Sequence, residues 1–190
     1  MLARCDLAEL LKEGKPNDEL IHKCFGQIIE AVAVLHRLDI IHSDLRLAQI
    51  LVDGEDNIRL SDFNASQYPN NVALGYEKAT NCLPRDYAAL NTVSSDLFVL
   101  GSTLYELTTG HPPYEELYAD LWRGPTDDDD QLRAEIRRKH IADYRAEQQY
   151  KQGDFPDVSQ VFGGGIILGL WNGTIISAND ALTLYYADLS

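Results

Sequence analysis

The chain has 190 residues, 45% of them hydrophobic, and is therefore long enough to bury one globular core. Its 30 acidic residues against 16 Lys and Arg give a net charge of −14, which argues against nucleic acid and membrane surfaces as partners. No apolar run approaches the roughly 20 residues that span a bilayer, and the N-terminus lacks the apolar core of a signal peptide. The three cysteines have no metal-site spacing, which favours an intracellular protein, cytoplasmic or nuclear.

Two helices are predicted at the start of the chain. A short helix over 6–12 should stop at Gly14 and Pro16. Asn17 then fits the N-cap of a longer helix that runs to about residues 37–39, with acidic residues in its first turn. Its apolar residues recur at steps of three and four, which predicts one buried stripe. They are Ile21, Phe25, Ile28, Val32 and Leu35.

The stretch 40–66, IIHSDLRLAQILVDGEDNIRLSDFNAS, has the pattern of a β-hairpin between two polar loops. Its strands are predicted at 50–52 and 57–60. A short hairpin puts its flanking loops at the same end, so Asp44 and Asp62 should face one cleft, with carboxylates within about 10 Å. Such a pair suits one acid or base and one ligand of a divalent cation. The alternative is an ordinary hairpin with acidic loop ends.

The segment 67–86 is polar, has no clear period and is predicted to be a surface loop. A helix follows over about 94–109, and Gly110, Pro112 and Pro113 end it. Two closing helices are expected at 161–171 and 178–189. The glycines at 163–165 are best explained as a loop between helices, because no strand precedes them and no Lys follows, as a phosphate-binding loop would require.

The charged run 127–152 is predicted to be helical. Leu132, Ile136, His140 and Tyr144 recur at every fourth position of this run. The favoured interpretation is a solvated helix with one narrow packed face. The alternative is a helix that docks onto a partner.

Several motifs resemble those of the eukaryotic protein kinases. Residues 42–49, HSDLRLAQ, are similar to the catalytic loop His-Arg-Asp-x-x-x-x-Asn, and residues 62–64, DFN, to the metal loop Asp-Phe-Gly. The helix that contains Asp96, with its Pro-Pro stop, resembles the central helix of the large lobe. The resemblance implies a mainly α fold with a small β-hairpin, a kinase-like C-terminal lobe over 1–190. Residues 40–66 would form its catalytic and metal loops, and 67–86 its activation-segment-like loop.

The resemblance also implies roles for individual residues, with ATP and Mg²⁺ as cofactors. Asp44 would be the catalytic base, and Arg46 would place a cation near the transferred phosphoryl group. Asp62 and Gln49 would bind Mg²⁺ beneath the phosphates. Leu51 would contact the adenine, and we expect it to lie in an apolar patch that this chain leaves uncovered.

Three further residues are implied to support the site. These are His42, Phe63 and Asp96, of which Asp96 would tie down the catalytic-loop backbone. Four positions differ from the family pattern, and they are Ser43, Gln49, Asn64 and Arg85. With these changes the chain resembles kinase-like proteins of fungi. No Gly-x-Gly-x-x-Gly precedes Ile40, so we expect a large lobe without its small lobe.

The function implied is ATP-dependent transfer of a γ-phosphoryl group to protein Ser or Thr, by a chain that is inactive alone. Its partners would be ATP and a protein substrate or partner protein. The altered motifs keep a second hypothesis open, a non-catalytic pseudokinase or scaffold. A third is a small-molecule phosphotransferase of the aminoglycoside type, which shares a His-x-Asp loop.

Overall fold

The computed structural model describes residues 3–14, 16–69, 71, 79–86, 89–121 and 128–189. The helices are α1 Leu7–Glu13, α2 Asp18–Arg37, α3 Val93–Thr109, α4 Asp129–Gln152, α5 Gly164–Trp171 and α6 Ala178–Asp188. The strands are β1 Ala3–Asp6, β2 Ile50–Asp53 and β3 Ile58–Leu60. The predicted mainly helical lobe with a small hairpin is therefore confirmed. Within these ranges no helix has the length and apolar content to cross a membrane.

The sheet is antiparallel with strand order β1-β2-β3. The hairpin β2–β3 was predicted, but β1 was not, because four residues are too few to show a period. Asp6 pairs with Leu51 across β1 and β2. Leu51 is half-buried, so the expectation of an open apolar patch around it is wrong.

An apolar cleft lies instead between α2 and the end of β3. It has a volume of about 410 Å³, and its apolar lining includes Ala31, Val34, Leu60 and Phe63. Val34 is 39% exposed and Phe63 44% exposed. The exposed apolar surface near the hairpin therefore lies next to the metal-type loop, which contains Phe63.

Helices α2 and α3 form the centre of the hydrophobic core. The side chain of Asn17 accepts a hydrogen bond from the N–H of Leu20 at 2.8 Å, so the predicted N-cap of α2 is present. Helix α3 begins with a capping box in which Thr92 and Ser95 each accept a bond from the other's backbone N–H. It is buried on nearly all sides and ends at Gly110, whose left-handed φ of 84° suits glycine.

Helices α5 and α6 complete the core, and glycines allow close contacts between these helices and the rest of the chain. Trp171 packs on Gly101 of α3, and its Nε1–H donates to Ser102 Oγ at 3.0 Å. A Cβ at Gly163 would lie 2.3 Å from the ring of Phe25, and one at Gly164 would lie 2.1 Å from the Val158 carbonyl oxygen. Gly163, with a left-handed φ of 66°, is the N-cap of α5, and Gly164 and Gly165 lie in the first turn of that helix. The predicted loop between helices is therefore present only as far as Gly163.

Helix α4 is packed differently from the prediction. Its buried residues are Ala142, Ala146 and Tyr150. The stripe at every fourth residue points away from the core, with Ile136 46% exposed and Tyr144 62% exposed. The interpretation of that stripe as a packed face is therefore wrong, because alanines and one tyrosine supply the buried side.

We predict that Gly26→Ala lowers the free energy of unfolding by about 1–3 kcal/mol, because the added methyl would overlap Tyr185 of α6. The Cβ position lies 2.4 Å from Tyr185 Cε1. Urea denaturation measures the effect. In the matched control, Gly165→Ala, the methyl meets no atom within 4 Å and should be neutral or stabilising. The clash is contradicted if Gly26→Ala still destabilises by the full amount when Tyr185 is already Ala.

Candidate functional site

A buried carboxylate on α3 fixes the backbone of the catalytic-type loop. Asp96 is 0% exposed. Its oxygens accept bonds from the backbone N–H of His42 at 2.7 Å and of Ser43 at 2.9 Å. His36 Nε2, at the end of α2, approaches the same carboxylate at 3.1 Å. A buried carboxylate without such hydrogen bonds would strongly destabilise the fold. The three bonds therefore make it possible to bury Asp96, and Asp96 in turn fixes the loop.

Two further buried hydroxyls, which the sequence analysis missed, hold the same loop. Thr103 Oγ1 donates to the carbonyl of Leu45 at 3.2 Å, and Ser66 Oγ donates to the carbonyl of His42 at 3.1 Å. Thr103 lies seven residues after Asp96 and therefore on the same face of α3. That spacing is the signal that could have identified it.

The loop brings Asp44 together with two other residues predicted for the site. Arg46 donates to Asp44 Oδ2 at 2.9 Å, and the Gln49 amide nitrogen lies 3.5 Å from the same oxygen. The Asp44 side chain is 18% exposed and that of Arg46 is 38% exposed. Asp44 is thus an oriented carboxylate that a second molecule can still reach.

The metal-type loop differs in its environment. Asp62 is exposed, and its Oδ1 accepts a bond from the side-chain amide of Asn64 at 2.9 Å. Asp62 has a left-handed φ of 58°, and Ser43 in the other loop has a φ of 69°. Left-handed backbone at residues other than glycine is uncommon and concentrates at functional sites.

The hairpin couples the two loops directly. The Ser61 N–H and Oγ both donate to the Gln49 carbonyl, each at 2.9 Å. His42 Nε2 lies 3.1 Å from the Ser61 carbonyl oxygen, and the rings of His42 and Phe63 are 5.3 Å apart. The loops that contain Asp44 and Asp62 are therefore cross-linked at one end of the hairpin. Leu51, the residue expected at the adenine, lies on the middle of β2.

The distal turn of the hairpin is organised by Asp53. Its Oδ1 accepts the backbone N–H of Glu55 at 2.9 Å and that of Asn57 at 3.0 Å. Arg59 Nη2 lies 3.5 Å from its other oxygen. The hydrogen bond from the Asn57 N–H is the main cause that lowers the pKa of Asp53. The N–H of Glu55 and the charge of the Arg59 guanidinium lower this pKa further, and burial opposes the shift.

The activation-segment-like loop is described only in part. Gln67 pairs with Ile41 through two backbone hydrogen bonds of 2.9 Å, which joins its start to the catalytic-type loop. Near its end, Arg85 donates to the side chain of Asn91. Residues 70 and 72–78 lie outside the described residues, so the prediction of a surface loop over 67–86 stays a prediction there.

The two loops contain oxygen donors that are suitable for a hard cation. Among the described residues there is no group of three or more His, Cys, Asp or Glu that could hold a metal ion. The Asp62 carboxylate and the Gln49 amide oxygen are the donor types that Mg²⁺ prefers. Their chemistry fits a Mg²⁺ ion that takes its remaining ligands from phosphate and water.

We predict that Asp96→Asn lowers the free energy of unfolding by about 2–4 kcal/mol, because an amide nitrogen then faces backbone donors in a buried site. Chemical denaturation followed by circular dichroism measures the loss. The matched control is Asp188→Asn, at an exposed position, which should change stability by less than about 0.5 kcal/mol. Equal effects of the two substitutions would contradict the anchoring role of Asp96.

We also predict that Asp53→Asn lowers the melting temperature at pH 7 and that the difference shrinks in acid. The folded-state pKa of Asp53 is depressed. Its carboxylate therefore stabilises the fold above the unfolded-state pKa of about 3.9, and this contribution is lost as pH falls through the lower folded-state pKa. Melting curves of both proteins from pH 7 to pH 3 test this. A difference that does not change with pH would contradict it.

The chain resembles proteins of one family. The family model described as "Protein kinase domain" matches residues 1–152. Serine/threonine-protein kinase plk-2 of Caenorhabditis elegans is 35% identical over 120 residues, 59% of this chain and 18% of that protein. Testis-specific serine/threonine-protein kinase 2 of Mus musculus is 32% identical over 122 residues, 58% of this chain and 34% of that protein. Serine/threonine-protein kinase KIC1 of Saccharomyces cerevisiae is 28% identical over 121 residues, 60% of this chain and 11% of that protein.

The chain thus spans well under two thirds of the length of these relatives, between 11% and 34%. The family model nevertheless covers both loops, the hairpin, α3 and α4. The three relatives described above are named as serine/threonine-protein kinases. The chain belongs to the eukaryotic protein kinase superfamily.

Proposed function

We propose that this chain supplies the catalytic and metal loops of an ATP-dependent serine/threonine protein kinase. The observation that carries the proposal is the cross-linked pair of loops, which holds Asp44 oriented by Arg46 and Asp62 on one end of the same hairpin. The serine/threonine specificity rests on the names of the relatives. The substrate would be a Ser or Thr hydroxyl of a protein.

Asp44 would act as the base in this reaction. Its carboxylate is accessible, and the Arg46 bond leaves its other oxygen free to accept a hydrogen bond from a substrate hydroxyl. Accepting that proton in the transition state makes the oxygen a better nucleophile toward the γ-phosphorus. Arg46 is a fixed cation beside the base, where it can offset the negative charge of the transferred group.

Asp62 and Gln49 would hold the metal that accompanies the nucleotide. Bound Mg²⁺ neutralises phosphate charge and orients the γ-phosphoryl group for in-line transfer. Asp96 would act only through position, because it touches backbone and His36 and lies fully buried. Leu51 would contribute one apolar contact to the adenine.

This chain would provide only the lower half of a nucleotide site. No Gly-x-Gly-x-x-Gly precedes the catalytic loop in the sequence, so the phosphates would be held from one side and stay in contact with water. Solvent screening weakens each electrostatic contact in such an open site. We propose that the small lobe, which carries the Gly-rich loop, packs over the apolar cleft beside Phe63 and Val34.

A non-catalytic pseudokinase is the second candidate, and a specific observation favours it. Asn64, where the family pattern has Gly, donates its amide to Asp62 Oδ1 at 2.9 Å. The Gln49 amide nitrogen is turned toward Asp44. The first bond uses an oxygen of the proposed metal ligand Asp62, and a metal would have to displace it.

One experiment tests both candidates. It compares the 190-residue chain with a fusion in which the small lobe of the plk-2 relative precedes it. We expect the chain alone to bind Mg–ATP with a dissociation constant of about 1 mM or weaker and the fusion to bind at micromolar concentration. Calorimetry should show that Asp62→Ala abolishes binding by the fusion. Asp44→Asn should keep binding and lower phosphoryl transfer at least about 100-fold.

The matched control is Asp188→Asn, an exposed acid away from both loops, which should change neither binding nor transfer. A fusion that binds Mg–ATP without transfer in any variant would favour the pseudokinase. A folded fusion that binds no nucleotide would overturn the metal role of Asp62 and favour the pseudokinase. Tight binding by the chain alone would contradict the half-site argument.

A further inference from the structure

Helix α4 presents an apolar ridge to solvent. Leu132, Ile136, His140 and Tyr144 lie on its outer side, and all four are exposed. Residues four apart on an α-helix form a continuous ridge that turns slowly around the axis. Helix α4 is therefore apolar on a side that no described part of the chain covers.

A basic ridge runs beside the apolar one. Each residue of this second ridge comes one position after a residue of the apolar ridge, and all are exposed. They are Arg133, Arg137, Ile141 and Arg145. None of these three arginines has an ion-pair partner among the residues that the structure describes. Three other basic side chains of α4 form ion pairs within the helix. They are Arg138 with Glu135, Lys139 with Asp143 and Lys151 with Glu147, each at 2.6 Å.

These three arginines have no ion-pair partner among the described residues although carboxylates are abundant in this chain. The sequence has 30 Asp and Glu against 16 Lys and Arg. An arginine that stays unpaired beside exposed isoleucine and tyrosine has the composition of an interface core, where Arg and Tyr are enriched and dominate the binding energy. Arginine also suits this role because its guanidinium binds carboxylates with two parallel bonds.

We propose that these two ridges bind an acidic amphipathic helix of a partner protein. Carboxylates of the partner would pair with Arg133, Arg137 and Arg145, and its apolar side chains would cover Ile136 and Tyr144. The ridges extend over residues 132–145, about 20 Å along the axis, which matches a partner helix of about four turns.

Charge excludes the symmetric alternative. A two-fold dimer through this surface would pack the same basic ridge of two copies against each other, with each residue of one ridge contacting a residue of the other. Arginines would then face arginines, which is unfavourable. The complementary occupant is therefore a segment of opposite charge and not the same face of a second copy.

The proposal is tested by selecting a random dodecapeptide phage library on the full chain, with counter-selection on the variant Arg133→Glu/Arg137→Glu. We expect enriched peptides that are acidic and carry apolar residues three and four apart. A synthetic peptide of the enriched sequence should bind the chain, and the double substitution should weaken binding at least about tenfold. Tyr144→Ser should weaken it without any change of charge. Circular dichroism confirms that each variant is folded.

The matched control is Lys12→Glu/Arg37→Glu, which makes the same charge change at exposed positions outside α4 and should leave binding unaltered. An equal loss of peptide binding in this control would show that only net charge matters and would overturn the proposal. The absence of acidic sequences among the enriched peptides would also overturn it. The same variants are titrated with vesicles that contain phosphatidylserine and with duplex DNA. Binding to either that depends on Arg133 and Arg137, without peptide binding, would overturn the proposal in favour of an anionic surface.

Discussion

The carboxylate of Asp96 is the interaction on which the arrangement of the site depends. It is fully buried on α3, and its oxygens are hydrogen-bonded by groups from two other parts of the chain, the end of α2 and the loop after it. Both the His42 and Ser43 N–H groups must point at one side chain, which requires an unusual turn of the backbone. The left-handed conformation of Ser43 is the result. The cost of this conformation is met by the bond that it makes possible.

Asp44 and Asp62, beside the same end of the hairpin, have different environments, and this difference supports the two roles proposed for them. Asp44 is largely enclosed and bonded to a cation, whereas Asp62 is exposed and bonded only by a neutral amide. A base needs a defined orientation, and a metal ligand needs access to a mobile ion and to its waters. The same residue type therefore acquires distinct properties from its neighbours.

Much of this structure follows from local sequence patterns. The caps at Asn17 and Gly110 and the stripe of α2 predicted helices that are present, and the turn residues at 53–56 predicted the hairpin. Strand β1 was missed because its only strong determinant is a long-range pairing with β2. The outer stripe of α4 was misassigned because a period shows which residues share a face but not whether anything covers that face. His36 and Ser66 become part of the site only through contacts between distant segments, which spacing alone does not reveal.

The closing helices have a consequence for where this domain can be divided. The kinase-family match ends at residue 152, yet Trp171 and Tyr185 fill the grooves of α3 and α2 from beyond that limit. The matched sequence therefore ends before the residues that complete the hydrophobic core. In the last segment, selection can preserve shape and volume while the residue types change. A chain divided at the family boundary would leave both central helices open along one side, and its exposed apolar surface would promote aggregation.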